Sequence, residues 1–272
     1  MKTIVKRFKR AIAIIADTHY GSSYAIFQES FRKSRGNIIR ANKYQLKLLE
    51  FWNYFWKKCD EWNVDLVLHA GDALEGLNKE EIGGERLLFS SLDEQIAGFV
   101  DLMKPYLKER QFGIVSGSSY HESTEFQVSR VIAEKLGGSF LGYIKNIKIE
   151  NTDRVLNIAH SVGYPQVYLS TILDREMLFQ KVAESIKKIP KVDILVRAHV
   201  HISLYIHQEG GHIIFAPCWK IFEGMRLTTK LYSRKVPSIG GVIIAFDTDD
   251  KIYVIPYEMK EAITPDLKPI WL

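Results

Sequence analysis

Ala11-Ile12-Ala13-Ile14-Ile15-Ala16 is an unbroken aliphatic run that stops on Asp17-Thr18-His19. An apolar run of this length with no polar alternation reads as a strand buried on both faces, the kind found inside a sheet covered by helices. The same form returns at residues 64–69, followed by Gly71-Asp72, and at residues 112–115, followed by Gly117-Ser118-Ser119-Tyr120-His121-Glu122. Between these runs the apolar period changes. Residues 38–62 carry Leu48, Trp52, Phe55, Cys59 and Trp62 at spacings of three and four, and residues 92–107 repeat such a stripe, so both are expected to be helices packed on the sheet. Further helices are expected at 125–136, stopped by Gly137-Gly138, and at 174–189, stopped before Pro190.

Strand signals dominate the later part, at 143–149, 155–159, 194–198, 203–207, 212–216, 241–246 and 251–256. No Pro-, Gly- or Ser-rich linker divides the chain. Strands alternating with helices, then strands alone, predict an α/β fold in which two sheets share one core within a single domain, residues 1–272. The aromatic cluster Phe51-Trp52-Asn53-Tyr54-Phe55-Trp56 could stack bases, but its helical spacing favours core packing.

At 272 residues, 46% hydrophobic and 25% charged, the chain has the makeup of a globular protein and excludes collagen, low-complexity disorder and a disulfide scaffold. Its two cysteines, Cys59 and Cys218, are too few and too far apart for a disulfide framework or a zinc ribbon, which predicts a reducing, cytoplasmic setting. The apolar run after the basic N-terminus is too short for a signal-peptide core or a membrane span, so no membrane partner is expected. Charge is unevenly placed: residues 1–43 hold ten Lys or Arg against two acids, residues 44–272 hold 27 against 30. A phosphate-bearing partner accounts for such an excess, and so does a solvated basic face. Residues 20–43, with Arg32, Lys33, Arg35, Arg40 and Lys43, read as a functional loop that contacts substrate.

Five of the eight histidines follow predicted strands in polar contexts: His19, His121, His160, His199 and His201. In an extended backbone, residues i and i+2 share a face, so Asp17 and His19, and likewise His199 and His201, could each meet one ion. Mixed carboxylate and imidazole donors suit Mn, Fe or Zn better than Mg. Strand carboxyl ends are where an α/β sheet keeps its site. His69, inside a predicted strand, reads as core; His207 and His212, around Gln208-Glu209-Gly210-Gly211, read as surface.

The ordered set Asp-x-His, Gly-Asp, Gly-x-x-x-His-Glu, His and His-x-His, each after a strand, resembles the calcineurin-like metallophosphoesterase family over roughly residues 11 to 247. The resemblance implies a two-sheet β-sandwich flanked by helices, a four-layer αββα fold, holding two divalent metal ions, with Mn first and Fe or Zn as alternatives. It implies that Asp17, His19 and His201 hold one metal, His160 and His199 the other, and that Asp72 bridges them. A metal-bridging hydroxide would then attack phosphorus in line. The third motif departs from the family pattern Gly-Asn-His: two extra residues separate Gly117 from His121, and no Asn is present. The form resembles that of phage and archaeal-like relatives. Either His121 is the general acid, the preferred role, with a Ser hydroxyl, a water or nothing in place of the Asn, or His121 is itself a ligand. The implied activity is an enzyme's, metal-dependent phosphoester hydrolysis. The basic excess ranks a phosphodiesterase or nuclease first, with Arg32, Lys33 and Arg35 binding substrate and a nucleic acid as the candidate partner. A protein or small-molecule phosphatase, and then a non-catalytic scaffold, are the alternatives.

Overall fold

In the computed structural model, which describes residues 8–34, 36–77, 87–122, 127–161, 169–209, 211–221 and 236–260, the opening aliphatic run becomes β1 (Phe8–Ile15). It is followed by β2 (Ser30–Arg32), β3 (Ile38–Arg40), α1 (Lys43–Glu61), β4 (Leu66–His69), α2 (Leu92–Leu107), β5 (Gln111–Ile114), α3 (Val128–Lys135) and β6 (Ser139–Phe140). The second half contains β7 (Ile144–Lys148), β8 (Val155–Ala159), α4 (Leu169–Ser185), β9 (Ile194–Arg197), β10 (Leu204–Gln208), β11 (Gly211–Phe215), β12 (Gly240–Asp247) and β13 (Ile252–Glu258). One sheet has the order β13-β12-β1-β4-β5-β6, the other β10-β11-β9-β8-β7.

The pleat of β1 shows how the layers stack. Ala11, Ala13 and Ile15 pack with Leu48, Trp52, Phe55, Phe99 and Ile132 of the helices, whereas Ile12 and Ile14 pack with Leu156, Ile158, Ile194, Val196 and Ile214 of the second sheet. β12 repeats the division, with Ile243 and Ala245 on the helix side and Val242, Ile244 and Phe246 on the sheet side. Beyond the second sheet, Leu195, Ile213 and Phe215 pack against Ile172 and Met177 of α4. The layers are therefore helices, sheet, sheet, helix: an α/β fold with a two-sheet core between helices. Because both faces of β1 are covered, its sequence has no polar alternation.

Helix α2 has the bounds its sequence stripe predicts, and the aromatic cluster of α1 enters the core through Trp52, Phe55 and Trp56, while Phe51 is half-buried and Tyr54 exposed. α3 ends on Gly137, at φ +67°, with the Gly138 amide donating to the Ala133 carbonyl as in a Schellman cap. Other boundaries differ from expectation. Residues 38–40 are not the first turn of α1 but a strand paired with β2, so the expected loop 20–43 carries a short antiparallel pairing of 30–32 with 38–40. The helix starts at Lys43 because Asn42 caps it: the Asn42 side chain accepts from the Tyr44 and Gln45 amides, and the Gln45 side chain accepts from the Asn42 amide. α4 ends at Ser185, with Lys187 in the left-handed region and the Lys188 amide on the Ala183 carbonyl, short of Pro190. Among the described residues no helix is long and apolar enough to cross a membrane.

Gln45 also donates to the carbonyls of Ser22 and Ala25, so this cap fastens the segment after His19 to the helix. Replacing Asn42 by Ala is expected to lower stability by about 1 kcal/mol, read as a shift of the urea midpoint without a change of slope. An unchanged midpoint would show that the tertiary contacts of Gln45 alone hold the helix start.

Candidate metal centre

The parallel strands β1, β4 and β5 all end at one edge of the first sheet, and β8 and β9 end beside them in the second. The loops that follow are tied across the gap. The Asp17 amide donates to the Gly71 carbonyl (3.0 Å), the His19 amide to the Asp72 carbonyl (3.1 Å) and the Ala198 amide to the His160 carbonyl (2.9 Å). The His199 amide donates to Asp17 Oδ2 (3.0 Å) and so joins the two sheets at the site.

Side chains do not meet here by strand alternation, as the sequence suggested. Asp17, His19, Asp72, His199 and His201 lie beyond the strand ends with φ of 47°, 43°, 51°, 74° and 58°. Left-handed backbone costs each non-glycine residue about 1 kcal/mol or more, and such strain collects where surrounding bonds over-determine the chain. Two glycines are needed for contact. A Cβ on Gly71 would stand 2.7 Å from the His160 ring, and one on Gly117 would stand against the Asp72 carboxylate and amide.

The result is a buried cluster of donors. Asp17 Oδ1 lies 3.4 Å from His201 Nε2 and 3.8 Å from His19 Nε2, and the two imidazole nitrogens are 3.0 Å apart. Asp72 Oδ2 lies 2.9 Å from His160 Nε2, which lies 3.2 Å from His199 Nδ1. His121 Nε2 is 4.0 Å from Asp72 Oδ2, so His121 forms a third group with His19 and Asp72. These donors fit a divalent cation: atoms about 2.0–2.2 Å from one ion in a tetrahedral shell stand about 3.3–3.6 Å apart. Asp17 Oδ1 is buried without a hydrogen bond of its own, and the mixed nitrogen and oxygen set suits Mn, Fe or Zn.

Neighbouring groups fix how each donor is presented. The His160 Nδ1–H donates to the Ala70 carbonyl (2.8 Å) and the His121 Nδ1–H to the Glu75 carbonyl (2.6 Å), which leaves both Nε2 atoms facing the cluster. The Ser118 amide donates to Asp72 Oδ1 at 2.7 Å, and its hydroxyl donates to the same carboxylate at 3.1–3.2 Å. Glu122 accepts from the Gly117 amide and the Ser129 hydroxyl, clamping the His121 loop to α3. His69 is core, as read from sequence, and it donates through Nε2 to the Thr18 hydroxyl, which donates to the Ala73 carbonyl.

Charge follows this arrangement. Burial works against ionisation of Asp17 and Asp72, yet the imidazoles of His201, His19 and His160 around the first and of His160, His121 and His19 around the second hold both well below the usual carboxylate range. Burial lowers His160, but the Asp72 and Asp17 carboxylates outweigh it and raise the imidazole to about 9. His121 is pushed down to about 4, by burial and by His19, and burial pushes His69 down to about 3.

All six expected metal donors and His121 thus converge. Arg32 and Lys33 lie apart, on the β2–β3 hairpin. Arg32 is exposed and donates to the Gly36 carbonyl, while Lys33 lies over the Phe89 ring. Arg35 lies outside the described residues. His207 and His212 face each other across β10 and β11 with stacked rings, away from the donors. Sequence reading missed Glu75 and Lys220, a buried ion pair beside His19. Their one sequence signal is a single charge inside otherwise apolar stretches, Ala73-Leu74-Glu75-Gly76-Leu77 and Cys218-Trp219-Lys220-Ile221.

No family model matches the chain, and no curated protein matches it. Among solved structures it is similar to an archaeal phosphodiesterase (15% identity, 91% of this chain and 99% of that one, TM-score 0.43). It is also similar to the Escherichia coli phosphoesterase Yfce (13% identity, 93% and 100%, TM-score 0.42) and to Vps29 from Entamoeba histolytica complexed with zinc (12% identity, 91% and 98%, TM-score 0.43). At such identities the chemistry has to be read from the site itself.

Because His160 titrates at about 9, it is protonated at neutral pH and has to lose that proton to bind a cation. Affinity for Mn is therefore expected to rise between pH 6.5 and 8.5, by up to about tenfold per pH unit for each proton displaced. In the cation-free protein the same proton stabilises the fold fully below pH 6.5, and this contribution fades as pH rises through 9. Calorimetric titration in two buffers of different ionisation enthalpy checks the first point. A flat affinity with no proton release would contradict it.

Proposed function

We propose that this chain is a metal-dependent phosphoesterase whose preferred substrate is a phosphodiester, with a nucleic acid as the substrate class. The observation that carries the reading is the pair of three-donor groups, Asp17–His19–His201 and Asp72–His160–His199, brought side by side from two sheets with His121 next to both. Divalent cations held there supply Lewis acidity to the phosphoryl oxygens and activate water for in-line displacement.

The chain's own residues have separable tasks. Asp17 is tied by its Oδ2 to the His199 amide, which leaves Oδ1 for the cluster. Asp72 is aimed by the Ser118 amide and hydroxyl, in the region where the family pattern has an Asn, and it lies between His160 and His121. His121 has its Nδ1–H committed to the Glu75 carbonyl, so Nε2 is the atom that handles a proton. An anionic phosphate beside that ring raises its proton affinity against the burial that holds it at about 4, and Nε2 then protonates the departing oxygen. Arg32 and Lys33 supply the positive charge that a polyanion follows along the hairpin.

Metal-dependent hydrolysis of bis-p-nitrophenyl phosphate, exceeding that of p-nitrophenyl phosphate and nearly abolished by Asp72→Asn, is the expected result. His121→Gln should slow diesters with alkoxide or nucleoside leaving groups about 10²- to 10⁴-fold while sparing p-nitrophenolate, which leaves without a proton. Equal losses on both substrates with a fall in bound metal would make His121 a ligand instead. A preference for the monoester would sink the diesterase reading.

Arg32→Ala and Lys33→Ala are each expected to flatten the dependence of log affinity on log salt by about 0.7 to 0.9 for a nucleic acid, measured with Asp72→Asn to prevent turnover. An unchanged slope removes the hairpin from the substrate path.

A further inference from the structure

We propose that Glu75, held by Lys220, is the positioning residue for His19 and makes Asp17–His19–His201 the tighter of two unequal cation sites. The inference rests on the reading above only in taking the two donor groups as cation sites.

Three segments far apart in sequence meet here. Lys220 Nζ donates to both Glu75 oxygens, at 2.8 and 3.0 Å, with Glu75 and Lys220 side chains only 3% and 8% exposed. Glu75 Oε2 in turn lies 3.0 Å from His19 Nδ1, at ion-pair separation, and that nitrogen has no hydrogen-bond partner in full alignment. The opposite nitrogen, His19 Nε2, faces Asp17 and His201. A carboxylate on the Nδ1 side keeps the ring proton there, so Nε2 presents its lone pair to the cluster.

The backbone holds this pair in register with the donors. The Glu75 amide donates to the Tyr20 carbonyl, and the Trp219 amide, next to Lys220, donates to the Asp17 carbonyl. Glu75 and Lys220 are thus fastened to the loop that carries Asp17 and His19. The Glu75 carbonyl also receives the His121 Nδ1–H, so one residue orients two imidazoles by two different groups.

The group behind His160, in the second donor group, is neutral. His160 Nδ1 donates to a neutral backbone carbonyl, that of Ala70. A charged group behind an imidazole polarises it toward a bound cation more than a neutral carbonyl does, so a cation gains more from what stands behind His19 than from what stands behind His160. Lys220 makes this arrangement tolerable in the folded protein, because a buried carboxylate without a partner is strongly disfavoured.

The test uses the full chain, stripped of metal, in wild type, Glu75→Gln and Glu75→Leu. Titration with Mn by calorimetry is expected to show two classes of site in wild type. Glu75→Gln, which keeps a side chain of the same shape beside Nδ1 but removes the charge, should weaken the tighter class about 10- to 100-fold and leave the weaker one unchanged. Imidazole nitrogen NMR of the metal-free wild type should place the His19 proton on Nδ1, and Glu75→Leu should shift it toward Nε2. A His19 proton on Nε2 in wild type, or a folded Glu75→Gln variant with unaltered affinities, overturns the inference. The wild-type spectrum and Glu75→Gln decide the matter even if Glu75→Leu does not fold. Two-class binding without diester hydrolysis overturns only the phosphoesterase reading, whereas a wild type that binds no cation overturns both.

Discussion

Asp17 fastens the two sheets together at the site by three hydrogen bonds. Its amide donates to Gly71 beyond β4, its carbonyl accepts from Trp219 beyond β11, and its Oδ2 accepts from the His199 amide beyond β9. Only Oδ1 is left, and it faces His19 and His201. The carboxylate thus closes the backbone between the sheets and supplies a donor, and the left-handed turn at φ 47° is what permits both. Three separate backbone and side-chain bonds over-determine that conformation, so strain that would relax in a free loop is retained here.

Gathering two carboxylates and five imidazoles in a buried space opposes folding unless charge is balanced. In the absence of a cation the protein balances it with protons: against burial, His160 is held in its charged form by the Asp72 and Asp17 carboxylates and His201 by Cys218 and Asp17, while His69 and His121 are driven neutral. Glu75 and Lys220 form a second, self-neutralising pair behind His19. Divalent cations would substitute for the protons with little rearrangement, because the donor atoms already stand at ligand-to-ligand separations. Such preorganisation is what the proposed phosphoryl transfer would ask of the protein, since positioning and charge make up most of that catalysis.

Much of the scaffold was legible because burial writes itself into composition. The all-apolar β1 and the three-and-four spacing of α1 and α2 record which faces are covered, and α2 begins and ends where its stripe does. The short pairings β2–β3 and β5–β6 left no such record. A strand of two or three residues has no period to detect, and Ile38 to Arg40 continue a helical-looking pattern until the Asn42 cap shows that the helix begins after them. The six expected donors and His121 are marked in the sequence by their type and their place after strands. Asp17 and His19, and His199 and His201, meet not through an extended backbone but through loops that turn left-handed.

What the sequence by itself determined is the candidate donor side chains, their order along the chain, and the two-sheet core with helices outside, since hydrophobic period and side-chain chemistry are local properties. Only the tertiary structure decided which donors share a group, that Ser118 aims Asp72, and that Glu75 and Lys220 lie behind His19 across 145 positions of chain. The physical reason is that a carboxylate in an apolar stretch carries no mark of its partner. The partner is set by strand order and by the hydrogen bonds between loops from two different sheets, and neither is written in the spacing of residues along one chain.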